Sequence, residues 1–275
     1  MTVPGAIIRY RSVFISDIHL GTRGSRADFL ADFLRRTSAE HIYLVGDIID
    51  GWRLRRGWYW DRHHDDVINL LLRHARAGAK ITYVPGNHDE LVRRYLHLGL
   101  EIAGVRFAEE AEHVTAAGER LLVIHGDQFD SVVRYAKLLA VLGDWAYTGA
   151  LVLNRWFNIA RARFGYPYWS LSAYLKRQVK EAVKAIDRFE VALAAEASAR
   201  GFDGVVCGHI HHPEMRVVNG VRYINDGDWV ESCTALVEHH DGRLELLDWA
   251  ALNRLSFLAP RGETAQPGAM DAAPA

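Results

Sequence analysis

The chain has 275 residues, 49% apolar and 24% charged, with 33 Lys and Arg against 34 Asp and Glu. That length and balance describe a soluble globular protein with a sizeable core, and the near-zero net charge argues against attraction of the whole chain to nucleic acid. Two cysteines, Cys207 and Cys233, are too few for a disulfide framework and are expected as buried thiols in a reducing cytosol.

Five apolar, β-rich runs each stop abruptly at a polar cluster. In chain order, Val13-Phe14-Ile15 precedes Ser16-Asp17, Ile42-Tyr43-Leu44-Val45 precedes Gly46-Asp47, and Ile81-Thr82-Tyr83-Val84 precedes Pro85-Gly86-Asn87-His88. Further on, Leu121 to Ile124 precedes His125-Gly126-Asp127, and Gly204 to Cys207 precedes Gly208-His209. Short continuous apolar runs of this kind predict strands buried on both faces, and ligands of open α/β sheets bind beyond the carboxyl ends of such strands.

Between the runs, helical spacing predicts a first helix near Phe29, Leu30, Phe33 and Leu34, with Ser25 as its N-cap and Asp28 at the capping-box position. A second is expected over Asp61 to Ala77, with Val67, Ile68, Leu71, Leu72 and Ala75 on one face and Gly78 as the stop. A long helix is expected over Gln178 to Ala199. Arg222 to Asn225 and Thr234 to His239 read as strands, and Asp241-Gly242 as a hairpin turn into Leu244 to Trp249, which suggests a second sheet.

Residues 131–190 differ from the rest. Ten basic residues meet four acids there, a local net charge of +6, with eleven of the 29 aromatic residues. The stretch reads either as a helical insertion near the site or as an ordinary helical layer with solvated charges. No run reaches the ~18 apolar residues of a membrane span, since Asp144 interrupts Leu138 to Leu153, and the amino-terminal stretch lacks a signal-peptide core. The expected organisation is one domain over 1–258 and a disordered tail over 259–275, which holds three of the seven prolines.

The strand-end clusters are Asp17-x-His19, Asp47, Gly86-Asn87-His88-Asp89, His125 and His209-x-His211. Carboxylate, amide and imidazole donors without thiolate suit Mn, Fe or Zn. In an extended chain alternate residues share a face, which would align Asp17 with His19 and His209 with His211. A carboxylate such as Asp47 can bridge two cations about 3.5–4 Å apart. The glycines at 46, 86 and 208 would permit close backbone approach. His63-His64-Asp65-Asp66 reads as a solvated charged helix start rather than a third metal site, and His239-His240 as surface. His212 faces away from the pair it follows. Trp52, Trp58, Tyr59 and Trp60 either wall a pocket or pack structurally.

The ordered set resembles the calcineurin-like metallophosphoesterase superfamily from Val13 to Trp249. That resemblance implies a four-layer αββα sandwich, here with a helical cap insertion, around a binuclear site. It implies that Asp17, His19 and His211 hold one divalent metal ion, that Asn87, His125 and His209 hold the other, and that Asp47 bridges them. His88 would not be a ligand but would donate a proton or hydrogen bond to the leaving-group oxygen, oriented by Asp89.

The longer phrases from Ser16 to Gly21, Gly46 to Trp52, His125 to Asp127, Gly208 to Pro213 and Asp226 to Glu231 are similar to the UDP-2,3-diacylglucosamine diphosphatase group. This implies cleavage of a nucleotide-sugar pyrophosphate to UMP and 2,3-diacylglucosamine 1-phosphate in lipid A synthesis. It also implies Mn2+ as the metal, and a peripheral contact with the cytoplasmic face of the inner membrane. Substrate contacts would come from Asn87 and His88, with Ser172, Lys176 and Lys180 in the basic stretch. The best characterised branch of that group carries Arg after the metal-binding Asn. This chain carries His88 and is closer to a sister branch. The alternatives are a phosphodiesterase or phosphomonoesterase of the same superfamily acting on another nucleotide or lipid phosphate, and a non-catalytic scaffold, which would be expected to have lost donors. No nucleic-acid partner is expected.

Overall fold

Both faces of the early strands are buried, and alternate side chains separate to two different cores. In β1 (Ile8–Ile15), Val13 and Ile15 point to one core and Phe14 to another. In β2 (Thr37–Val45), Ile42 and Leu44 join the first, and Tyr43 and Val45 the second. This is the period-2 division expected of a strand sandwiched between layers, and it explains why the runs read as continuously apolar. The computed structural model describes residues 7–129, 163 and 171–252, with side chains except those of 171–182.

β1 pairs in parallel with β2, β2 with β3 (Lys80–Val84), and β3 with β5 (Val105–Phe107). Antiparallel strands close both edges: β4 (Glu101–Ile102) beside β5, and the hairpin of β11 (Thr234–Glu238) and β12 (Leu244–Asp248) beside β1. The second sheet has the order β6 (Ala111–Val114), β7 (Arg120–Val123), β8 (Gly204–Cys207), β10 (Val221–Asn225), β9 (Glu214–Val218). Its three central strands are parallel to one another.

The two sheets face each other through Phe14, Tyr43, Val45 and Val84 on one side and Leu121, Val123, Val206 and Ile224 on the other. Helices α1 (Ala27–Arg36) and α3 (Arg62–Arg76) cover the outer face of the first sheet with Leu30, Phe33, Leu34, Val67 and Leu71. A short helix, α2 (Gly51–Arg56), follows β2. Helix α4 (Leu171–Ala199) covers the second sheet with Ala185, Phe189, Leu193 and Ala197. The result is the αββα order of layers.

Several local expectations are corrected. Ser25 does not cap α1: the N-cap position falls on Arg26, whose guanidinium has no acceptor to offer and instead donates to Asp28 through two contacts of 3.1 Å. Leu70 and His74, rather than Leu72, complete the buried face of α3. His64 is buried, not solvated. It closes a capping box with Asp61, which accepts from His63 N at 2.8 Å, and it packs edge-on against Trp60. The apolar runs and helical spacings did not point to α2, β4, β5, β6, β9 or the 3-10 helices over Glu90–Leu98 and Asp127–Phe129. Cys207 and Cys233 are buried free thiols. Of the stretch 131–190, residues 171–190 lie in α4, and Ala185 and Phe189 pack on the second sheet. Its remaining residues up to 170, apart from 163, and the side chains of Ser172, Lys176 and Lys180 lie outside the described residues, as does the tail 259–275.

Candidate metal centre

The parallel strands of both sheets end on one side of the molecule, and each delivers its polar cluster there. Backbone bonding continues past the strand ends: Asp17 N–H donates to Gly46 O at 3.0 Å and His19 N–H to Asp47 O at 2.9 Å. The second sheet is tied in by His209 N–H, which donates to Asp17 Oδ2 at 2.8 Å. His88 N–H donates to Asp47 Oδ1 at 2.8 Å.

The extended-chain expectation for the Asp-x-His and His-x-His pairs is corrected. Asp17, His19, Asp47, His209 and His211 all have left-handed backbones, with φ of 49°, 51°, 53°, 70° and 54°. Non-glycine residues in this region cost on the order of 1–3 kcal/mol each and persist only where surroundings over-determine them. Here the cost is offset by the interstrand bonds just named, and the sharp turns throw alternate side chains inward. Close approach also depends on glycine. A methyl on Gly86 would fall onto Asp47 Oδ1 and His125 Nε2, and one on Gly208 onto Ser16 Oγ and Asp17 Oδ2.

Three groupings of donors result, each with its ligand atoms within 4.8 Å of one another: Asp17, His19 and His211; Asp47, His125 and His209; and His19, Asp47 and His88. Asp17 and Asp47 are fully buried, whereas the side chains of His88 and His211 remain 22% and 29% exposed and face the opening. His125 Nδ1–H donates to Val45 O at 2.8 Å, which turns Nε2 toward Asp47 Oδ1 at 3.5 Å. Such a bond fixes the ring and its tautomer for ligation through the other nitrogen.

The donors fit divalent cations on an observation internal to this site. Asp17 Oδ1, His19 Nε2, Asp47 Oδ2 and Asn87 Oδ1 are buried without a hydrogen-bond partner. Buried polar atoms of this kind are rare and costly unless something meets them. The charges agree. Burial would raise the Asp47 carboxyl, but the charge and hydrogen bond of His125 hold it below the usual carboxylate range. Burial would lower His125 and His19. The charge and hydrogen bond of Asp47 push His125 up to about 10, while Asp17 and Asp50 hydrogen bonds push His19 up to about 9. Buried carboxylates thus retain positive charge around them, and a cation meets the same demand while displacing those protons.

The expected link from Asp89 to His88 is corrected. Asp89 accepts from Ile48 N–H at 2.9 Å, from the Tyr83 hydroxyl and from Gly86 N–H, so it braces the loops after β2 and β3. The carboxylate that reaches the His88 ring is Asp50, with Oδ2 at 3.0 Å from His88 Nδ1 and 3.4 Å from His19 Nδ1. Its other oxygen caps α2 by accepting from Arg53 N–H at 2.7 Å. Asp50 had a signal in the sequence, three residues after Asp47 in a strand-end loop, but its role depends on the fold of that loop. The Trp52 ring lies 4.3 Å from that of His88. His212 is exposed and, with His63 and His64, belongs to none of the three groupings found among the described residues.

A two-sheet α/β sandwich with carboxylate and imidazole donors converging at its strand ends defines a metal-dependent hydrolase of phosphate esters or anhydrides. Residues 10–213 match the sequence model of the calcineurin-like phosphoesterases, and the chain belongs to that family. It is similar to the UDP-2,3-diacylglucosamine hydrolase of Xanthomonas campestris pv. campestris strain B100, with 26% identity over 250 residues, covering 84% of this chain and 96% of that protein. A protein of the same name from Ectopseudomonas mendocina is 27% identical over 241 residues, covering 84% and 95%. A hypothetical protein from Pyrococcus horikoshii aligns structurally at TM-score 0.44 and 9% identity over 92% of this chain and 95% of that one.

Proposed function

We propose that the protein hydrolyses the pyrophosphate of UDP-2,3-diacylglucosamine to UMP and 2,3-diacylglucosamine 1-phosphate, a step of lipid A synthesis, with two Mn2+ ions. The observation that carries this reading is the pair of donor groupings, Asp17-His19-His211 and Asp47-His125-His209, around orphaned buried oxygens and a nitrogen. Relatives of that name, aligned over most of both chains, support the substrate.

Asp17, His19 and His211 would hold one cation, and Asn87, His125 and His209 the other, with Asp47 shared. Bound there, two cations neutralise phosphoryl oxygens and lower the pKa of the attacking water. The chain's own groups supply the rest. His88 stands at the opening with Nε2 3.9 Å from Asp47 Oδ2, its ring held by Asp50 and backed by Trp52, where it can give a proton to the departing oxygen. Asn87 and His88 would meet the diphosphate, and Ser172, Lys176 and Lys180 the remainder of the substrate. No helix among the described residues is long and apolar enough to cross a membrane. Contact with the lipid-borne substrate would be peripheral, at the cytoplasmic face of the inner membrane.

His88 stands where the best characterised branch of the diphosphatase group has Arg, and this favours a second reading: the same chemistry on another nucleotide or lipid phosphate. Incubating the purified, manganese-loaded protein with UDP-2,3-diacylglucosamine and assaying UMP decides between them. UMP release supports the first reading. Intact substrate, with p-nitrophenyl phosphate esters hydrolysed by the same preparation, rejects it in favour of the second.

A further inference from the structure

After the loop that carries His19 lies a cavity of 480 Å3 to which no role has yet been given. Its floor is Gly21 to Gly24, the four residues that follow Leu20 after His19, and its wall is Arg53, Arg56, Trp58 and Tyr59 from α2 and the loop after it. The two parts are locked together, because Gly21, at φ +100°, leaves room for Leu54, whose side chain a methyl there would strike. The cavity is also coupled to the donors. Thr22 N–H and Oγ1 both bond His19 O, at 3.2 and 2.9 Å, and the Asp50 carboxylate that caps α2 is the one beside His19 and His88.

Its charge is concentrated. Several surface arginines are matched with carboxylates, as Arg35 is with Asp66, Arg36 with Asp32, Arg120 with Glu112 and Arg243 with Glu245. Arg23, Arg53 and Arg56 have no such ion pair among the described residues, and all three border the one cavity. Arg23 is held over the Tyr59 ring at 4.6 Å, which aims a guanidinium without neutralising it. Trp58 is 76% exposed, yet it is backed by Trp60 in a stacked pair at 6.2 Å. Trp60 in turn packs edge-on against buried His64 and donates to Asp65 Oδ1 at 2.9 Å. A rigidly backed tryptophan with a free face, next to unpaired guanidinium forks, combines a ring-stacking surface with phosphate donors.

We infer that this cavity is a nucleoside-phosphate subsite, in which Arg23, Arg53 and Arg56 meet phosphate oxygens and Trp58 stacks on the base. Its use during turnover rests on the proposed hydrolysis of a nucleotide-linked substrate, whose nucleotide half it would hold as the bond next to it is cut. The binding itself does not depend on that reading.

The test is calorimetric titration of the manganese-loaded full chain with 5′-UMP, inorganic phosphate and uridine. The variants are Arg53→Gln/Arg56→Gln and Trp58→Ala, all at exposed positions, with melting curves to establish that each remains folded. Both variants are expected to lose 5′-UMP affinity by about tenfold or more, while only the arginine variant loses affinity for inorganic phosphate. Wild-type protein that does not bind 5′-UMP at millimolar concentration, or affinity within about twofold of wild type in either folded variant, overturns the subsite. The two proposals fail separately. Arginine-dependent 5′-UMP binding by a protein that leaves UDP-2,3-diacylglucosamine intact upholds the subsite and rejects the substrate. UMP release that survives loss of Arg53 and Arg56, with undiminished 5′-UMP affinity, does the reverse.

Discussion

His88 Nδ1 lies 3.0 Å from the Asp50 carboxylate, so a partly exposed ring at the opening of the site is anchored by a nearly buried acid. The same acid lies 3.4 Å from His19 Nδ1, the side of that ring turned away from its orphaned Nε2. Asp50 therefore positions two imidazoles at once. Asp50→Asn, which can still cap α2, is expected to lower kcat by about 10–100-fold, the usual effect of removing a partner that orients a ligand ring. Steady-state rates with a p-nitrophenyl ester measure this, and an unchanged kcat in protein of normal metal content would refute the positioning role.

Asp47, like His19, belongs to two of the three groupings, and as the carboxylate of that pair its replacement should be the most damaging single change. Asp47→Asn removes a fully buried negative charge facing His19, His88 and His125. Turnover is expected to fall to near background and the metal content to drop below two per chain. A variant that retains both ions and normal rates contradicts the bridging assignment.

His88→Ala tests the leaving-group role separately. A proton donor matters most when the departing oxygen is basic, so alkyl phosphate esters should lose more than p-nitrophenyl esters, by about 10²-fold or more. Equal losses on both would assign His88 to binding alone.

Gly208→Ala should be costly for packing alone. The added methyl falls onto Ser16 Oγ and Asp17 Oδ2 in the fully packed junction between sheets, where overpacking costs about 1–3 kcal/mol. Gly57→Ala is the control: its φ of 179° is extended and a methyl there has no neighbour within 4 Å, so its melting temperature should stay at or slightly above that of wild type. Equal melting temperatures for the two variants would show that the junction yields more readily than its geometry suggests.

Glu238 sets an acid limit on stability away from the site. Burial would raise its carboxyl, but hydrogen bonds from His113, Ala116 N–H, Ser12 and Arg11 hold it at about 2, below the ordinary 4.5. A carboxyl lowered on folding stabilises fully above its unfolded pKa and loses that contribution as pH falls through the folded value. Its share of stability is therefore present above pH 4.5 and lost toward about 2. Glu238→Ala leaves Arg11 and His113 without their shared acceptor, at a cost of about 3–5 kcal/mol. Denaturant unfolding at neutral pH should show that loss, and the acid-side decline should flatten in the variant. A decline as steep as in wild type would place the acid sensitivity elsewhere.

Much of this architecture was legible from local pattern. The five runs ending at Ile15, Val45, Val84, Ile124 and Cys207 form parallel strands or their immediate continuations, because a strand covered on both faces needs apolar residues at every position and must stop where donors begin. The edge strands β6 and β9 were not legible, because one face of each is open to water and their composition is mixed. The capping of α1 was not legible, because its N-cap position falls on Arg26, which has no acceptor, rather than on Ser25.

By itself, the sequence determined which donors the protein carries and the order in which strands present them, since residue type and apolar run length are properties of short segments. The tertiary structure alone decided how they face one another. The left-handed turns at Asp17, His19, Asp47, His209 and His211, the reach of Asp50 rather than Asp89 to His88, and the unpaired arginines beside Trp58 all arise from contacts between distant or sharply turned segments. His209 N–H meets Asp17 Oδ2 across 192 residues of chain, and no local preference encodes a bond that exists only once two sheets have packed.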